Sequence, residues 1–319
     1  GERSPTMEGA MTRIIPPATP IPDNAPDDPR LGRLLGSRLG KNDAPGAVLL
    51  GFPSDEGVRR NGGRVGAAGG PKAVRPALYR LTADPRSEQF EDLLGRTRDL
   101  GDLEISRNLE FDQKHLGEAL APYLEQGVFA IVFGGGHETS YGHFQGYARV
   151  GRAVEILNWD AHADVRELKD GQAHSGSPFR QAIEDPSGMC RRYTVAGLQP
   201  QSVARAHLEF VRQHGRAVWR EEVTRETVAE LHRGLTGPAL VSFDLDAVSD
   251  AEAPGVSAPT SDGLTSDLWL AAADAAGRCP AVTSADVVEL NPAVDRDSQT
   301  VRLAALTVWW LLRGRAERG

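Results

Sequence analysis

Residues 153–166 read AVEILNWDAHADVR. The first seven form a nearly continuous apolar run, short enough for a strand and rich enough in large apolar side chains to be buried on both faces. The next seven turn abruptly polar, and Asp160, His162 and Asp164 fall at alternate positions. A buried strand that ends in a polar cluster points to a parallel sheet, because such sheets bind their ligands beyond the carboxyl ends of the strands.

The pattern recurs along the chain. AVLLGF (47–52), VFAIVF (128–133), ALVSFDL (239–245) and AVTSADVVEL (281–290) are further strand candidates. Stretches with helical periodicity lie between them and predict helices over 71–80, 113–126, 202–214, 221–234, 266–277 and 300–313. Alternating strands and helices predict an α/β protein, a three-layer α/β/α sandwich with a mostly parallel central sheet. No linker divides the chain, so residues 31–319 are expected to form a single catalytic domain. Residues 1–30 hold seven of the 21 prolines and few large apolar residues, which predicts a flexible or surface-wrapping arm.

The bulk properties exclude several function classes. A net charge of −8 argues against nucleic acid as a partner, since phosphate binding requires a basic patch. No apolar run reaches the ~18 residues needed to span a bilayer. The two cysteines, Cys190 and Cys279, are far apart and in no metal-type spacing, as expected in a reducing, cytoplasmic setting.

The polar residues collect after the apolar runs. GGGHE (134–138) brings His137, DLD (244–246) brings Asp244 and Asp246, and Glu289 stands just before Asn291-Pro292. If the chain stays extended, Asp160, His162 and Asp164 share one face, and so do Asp244 and Asp246. Three strand ends then supply four carboxylates and two imidazoles. Unpaired, the carboxylates would repel and some would take up protons. Divalent cations resolve this conflict. Mixed Asp and His ligands suit Mn²⁺, Zn²⁺ or Fe²⁺, and the carboxylate majority leans toward manganese. Six ligands with bridging carboxylates suit two ions ~3.5–4 Å apart that share and ionise a water. GGGHETSYG reads alternatively as a tight turn or a phosphate loop, but it lacks the Lys-Ser/Thr of a P-loop and the G-x-G-x-x-G spacing. Of the other histidines, His115, His207, His214 and His232 lie in polar helical stretches and read as solvated. His143 and His174 lie close to the site blocks and carry no assigned role.

The blocks FGGGHE, NWDAHADVR, SFDLDAV and VVELNP, in that order, resemble the ureohydrolase superfamily of arginases, agmatinases and formimidoylglutamases. The resemblance runs from about residue 47 to the final helix and implies an arginase-like fold with two Mn²⁺ per subunit. By position it implies that His137, Asp160, Asp164 and Asp244 hold one ion. His162, Asp160, Asp244 and Asp246 would hold the other, with Asp160 and Asp244 bridging. Asp164 would also orient the attacking water, and Glu289 would hold the amidine-like NH₂ group of the substrate. Relatives form trimers or hexamers, so a homo-oligomer is expected.

Two departures narrow the substrate. Arginase-like members carry Asn where this chain has Arg166. Arginases and agmatinases keep a proton-shuttling His where this chain, reading HSGSPFR (174–180), has Ser175. Both departures resemble the formimidoylglutamase group, as does DEGVRRNGGRVGAAGGPKAVR (55–75). That group's substrate carries two carboxylates, arginine one and agmatine none. Arginine is the side chain suited to bidentate capture of a carboxylate. Arg59, Arg60, Arg64, Arg166 and Arg180 all lie in blocks near the proposed site, and Arg166 and Arg59 are the first choices for substrate contact. Asn61 could add a hydrogen bond. The rival reading pairs these arginines with Asp55, Glu56 or Asp170. PGVSAP (254–259) is expected to shape the rim of the pocket. The resemblance thus implies Mn²⁺-dependent hydrolysis of N-formimidoyl-L-glutamate, an acidic amidine, to L-glutamate and formamide in histidine degradation. The alternative is another ureohydrolase that releases urea from a guanidino acid, arginine or agmatine.

Overall fold

In the computed structural model, which describes residues 12–318, the five apolar runs are five adjacent strands at the centre of one sheet. The strands are β1 (Ile14–Ile15), β2 (Ala47–Gly51), β3 (Thr97–Leu103), β4 (Phe129–Phe133), β5 (Val154–Trp159), β6 (Cys190–Leu198), β7 (Gly215–Trp219), β8 (Ala239–Asp244) and β9 (Val282–Val288). Their order is β1-β3-β2-β4-β9-β8-β5-β6-β7. Every neighbouring pair is parallel except β1 with β3. Every residue of β2, β4, β5 and β8 is buried, which is why these strands read as unbroken apolar runs.

Strand alternation divides the core into two layers. Ile131, Leu157, Val241 and Ala285 belong to one, with the helices Gly70–Tyr79, Ser266–Arg278 and Gln299–Ala316. Val48, Ala130, Val132, Ile156 and Leu240 belong to the other, with Leu109–Glu125 and Thr139–Arg149. The result is the expected α/β/α sandwich. Leu311 sits in the first layer with no exposed surface. Leu311→Ala should lower unfolding free energy by about 2–5 kcal/mol, the range for a buried leucine. Denaturant midpoints would show this shift, with little change in turnover by the folded fraction.

The outer strands were not predicted, for a physical reason. β3 (TRDLGDL) carries charges because the buried Arg75 reaches Asp99 at 2.9 Å and Asp102 at 2.6 Å. β6 opens with the exposed Arg191 and Arg192, and β7 is an edge strand of only five residues. The helix expected over 113–126 begins earlier, at Leu109, because the Asn108 side chain accepts the amide of Phe111 at 3.0 Å and caps it. Part of the predicted N-terminal arm belongs to the sheet, since Ile14 and Ile15 pair with Leu103 and Asp102. Residues 1–11 of that arm lie outside the described residues. Among the described residues, no helix is long and apolar enough to cross a membrane.

Candidate active site

β4, β9, β8 and β5 are consecutive parallel strands, so their carboxyl ends share one edge of the sheet. After β4 the chain turns through three glycines. A Cβ on Gly135 would stand 1.8 Å from the Ser54 carbonyl oxygen, so only glycine fits there. Gly135 donates to Phe52 O and accepts from the Glu289 amide, both at 2.8 Å, which threads His137 between neighbouring strand ends.

The two acidic blocks converge, but not by the extended alternation expected of them. β5 ends at Trp159, and Asp160 Oδ1 accepts the amide of His162 at 2.7 Å. The chain turns there, and Asp164 adopts a left-handed φ of 46°. Asp244 Oδ1 likewise accepts the amide of Asp246 at 2.9 Å, in a short 3₁₀ turn over Leu245–Ala247. In both blocks one carboxylate oxygen shapes its own backbone. Glu289 is also left-handed, at φ 68°, and accepts the His137 amide at 2.7 Å. Neither residue is glycine, and such backbone strain concentrates where the surrounding structure enforces it for function.

The side chains form two groups. His137 Nδ1 lies 3.2 Å from Asp160 Oδ2, and 2.9 Å from both Asp164 Oδ2 and Asp244 Oδ2. His162 Nδ1 lies 3.4 Å from Asp160 Oδ1 and 3.1 Å from Asp246 Oδ2. Asp160 belongs to both groups, whereas Asp244 belongs only to the first. Asp244 Oδ2 is the oxygen beside His137, and its Oδ1 accepts the Asp246 amide.

Ser242 Oγ donates to Asp286 Oδ1 at 2.6 Å and lies 2.9 Å from His137 Nε2. With the serine proton spent, His137 Nε2 must be the donor, which leaves Nδ1 bare in the neutral ring. That bare nitrogen faces three carboxylates and makes no hydrogen bond among the described residues. Burial opposes charge on His137, but Asp244, Asp160 and Asp164 outweigh it and hold the imidazole well above its ordinary range. Asp246 holds His162 far up as well, against its burial. Burial and the charges of Asp246 and Asp160 raise Asp244, and burial with the Asp160 charge pushes Asp246 up to about 6 despite His162. Burial raises Glu289 too, reinforced by Glu138 and Asp246. Such an arrangement is costly when only protons balance it, and divalent cations balance it well. The residues present therefore fit a pair of divalent ions.

A cavity of about 260 Å³ opens above the cluster. Of the residues expected to touch substrate, it is lined by Arg166 and Asn61, with Asp164 and Glu289 beside them. Asn61 donates to Ser175 Oγ at 3.1 Å. The structure does not bring Arg59 or Arg180 to the wall. Arg59 is exposed and paired with Glu56, and Arg180 pairs with Glu184 at 2.8 Å and stacks over Phe210. Arg60 is taken by Glu56 and Glu110. Arg64 donates to the carbonyls of Val256 and Ser257, and so holds the rim loop. His174 faces inward, with Nδ1 accepting the Gly176 amide and Nε2 on Glu167 O. His207 was read as solvated, yet it lines the cavity, and burial with the charges of Arg166 and Arg180 lowers its pKa. Finding it required β6, because the segment after that strand carries it.

Residues 45–313 match the sequence model of the Arginase family. The chain belongs to the arginase family. The formimidoylglutamase of Chromobacterium violaceum is 36% identical over 287 residues, 86% of this chain and 89% of that protein. The formimidoylglutamase of Nocardia farcinica is 40% identical over 278 residues, 82% of this chain and 86% of that protein. Among solved structures, Trypanosoma cruzi formiminoglutamase with Mn²⁺ superposes with a TM-score of 0.83 at 34% identity, over 92% of this chain and 100% of that one. The blocks FGGGHE, NWDAHADVR, SFDLDAV and VVELNP all lie inside the range matched to the arginase family.

Proposed function

We propose that this protein is a manganese-dependent formimidoylglutamase, hydrolysing N-formimidoyl-L-glutamate to L-glutamate and formamide in cytoplasmic histidine degradation. The observation that carries the substrate choice is Arg166. Of the five arginines in the site blocks, Arg59, Arg60 and Arg180 are neutralised by glutamates and Arg64 is held by carbonyls. Arg166 lines the cavity, and no carboxylate of the described residues pairs with it. Its charge is left for a substrate carboxylate, and a cationic substrate such as agmatine would be repelled.

His137, Asp160, Asp164 and Asp244 would hold one Mn²⁺, and His162, Asp160, Asp244 and Asp246 the other. When bound, such a pair lowers the pKa of a shared water and neutralises developing negative charge. The protein's own groups do the rest. Asp164 orients the water by accepting a hydrogen bond from it. Glu289 accepts from the amidine nitrogen and favours the cationic amidinium over a neutral amide. Arg166 and Asn61 hold the glutamate end. Water adds to the formimidoyl carbon, the bond from that carbon to the glutamate nitrogen breaks, and that nitrogen takes up a proton. The subunits are proposed to assemble as trimers or hexamers, and residues 31–319 to act as one catalytic unit behind the N-terminal segment.

A substrate panel under Mn²⁺ tests the reading. Formamide should appear from N-formimidoyl-L-glutamate, with no urea from guanidino acids, arginine or agmatine. Urea release with formimidoylglutamate left intact would overturn it.

A further inference from the structure

Beneath the carboxylate cluster lies a second set of polar side chains that the reaction does not touch. Asp286, on β9, is completely buried. Its carboxylate accepts from Ser242 Oγ at 2.6 Å and from Ser140 Oγ at 3.1 Å. Its third partner is His143 Nδ1 at 2.8 Å. His143, on the helix Thr139–Arg149, is also completely buried, and its Nε2 is anchored 2.6 Å from Ser284 Oγ. The Tyr147 hydroxyl in turn lies 2.5 Å from Ser284 Oγ. The series ends at Ser242, 2.9 Å from His137 Nε2.

We infer that His143 is a positioning residue for metal binding, acting through Asp286 and Ser242 to keep His137 Nδ1 bare and facing the carboxylates. The direction of each hydrogen bond follows from what each group can give. An ionised carboxylate only accepts, so His143 carries its proton on Nδ1 and Ser242 and Ser140 spend theirs on Asp286. Ser242 must then accept from His137 Nε2. A buried carboxylate needs all its donors, and two hydroxyls alone leave it short of partners. Without His143, Ser140 alone holds Oδ2, so the Asp286 carboxylate can turn away from Ser242 and leave that hydroxyl free to reorient. Ser242 then donates to Nε2, and the ring proton moves to Nδ1, the atom that must be bare to bind a cation. Groups that fix a ligand's tautomer in this way typically change metal affinity by about 10–100-fold.

This inference rests on the two-ion reading, and the wild-type protein is the control for that reading. The full chain, stripped with chelator, would be titrated with Mn²⁺ and followed by calorimetry and electron paramagnetic resonance. Wild type should bind two ions and show a spin-coupled pair. Failure to do so would overturn the two-ion reading itself. His143→Leu should weaken one of the two ions by about 10–100-fold and lose the coupled signal. His143→Asn keeps an N–H near the Nδ1 position and should recover most of that affinity. A folded Leu variant with unchanged affinity would overturn the inference, and so would equal losses in Leu and Asn, which would mean packing alone. If the Leu variant does not fold, Ser242→Ala decides, because it cuts the same series beside His137. Selective weakening of one ion supports the inference, and two ions at wild-type affinity overturn it.

Discussion

Asp160→Ala is expected to remove both metal ions and almost all activity. Asp160 is the one residue common to both ligand groups, with Oδ2 beside His137 and Oδ1 beside His162. Burial would raise its pKa, but His137 and His162 override burial and hold the carboxyl well below the usual range. Deleting it leaves two imidazoles without their shared partner, and Oδ1 no longer closes the turn at His162. Metal catalysis of this kind supplies several kcal/mol, so kcat/KM should fall by at least about a thousandfold. Metal analysis after Mn²⁺ loading should find well under one ion per chain, against two in the wild type. Asp246→Ala is the informative contrast, since Asp246 belongs to one group only and its loss should cost about one ion. Two tightly held ions in Asp160→Ala, with a rate within tenfold of wild type, would remove Asp160 from the centre of the site.

The centre of the fold was legible in the sequence because strands covered on both faces need no polar residues. β2, β4, β5, β8 and β9 each stand out as apolar runs. The outer strands were not legible, because their charges are explained only by distant partners, as Arg75 explains Asp99 and Asp102 in β3. The residues that gather in the two groups were legible for the opposite reason. Carboxylates and imidazoles crowded after apolar strands have few explanations other than chemistry. How they converge was hidden, since side-chain-to-amide turns at Asp160 and Asp244 replace the extended alternation. Which arginine stays unpaired was hidden as well. Glu110 is fifty positions from Arg60 in sequence, yet it ends 2.6 Å away. Ser284 and Asp286 alternate inside the apolar run AVTSADVVEL, the mark in the sequence of polar groups facing a buried partner.

Arg166→Ala should raise KM for the acidic substrate while leaving metal content at two ions. Its backbone amide donates to Gly176 O at 2.9 Å, which fixes where the side chain starts. A Cβ on Gly176 would stand 3.1 Å from Arg166 Cδ, so glycine there leaves room for the stem to lie along the wall. The guanidinium makes none of the contacts at the two ligand groups, so its removal should spare the metals. A charge-assisted hydrogen bond to a carboxylate contributes about 1.5–3 kcal/mol, which corresponds to roughly 10–150-fold in kcat/KM. The loss should fall on KM, because a contact with the glutamate end is made equally in ground and transition states. Arg166→Lys should recover only part of it, since an ammonium cannot reproduce the planar fork. Arg59→Ala is the control: it removes a guanidinium already neutralised by Glu56 outside the cavity, and KM should stay within about twofold. Steady-state kinetics on N-formimidoyl-L-glutamate, run beside metal analysis, separates the two. Equal effects in both variants, or an unchanged KM in Arg166→Ala, would move carboxylate recognition away from Arg166 and leave His207 as the remaining imidazole on the wall outside the ligand groups.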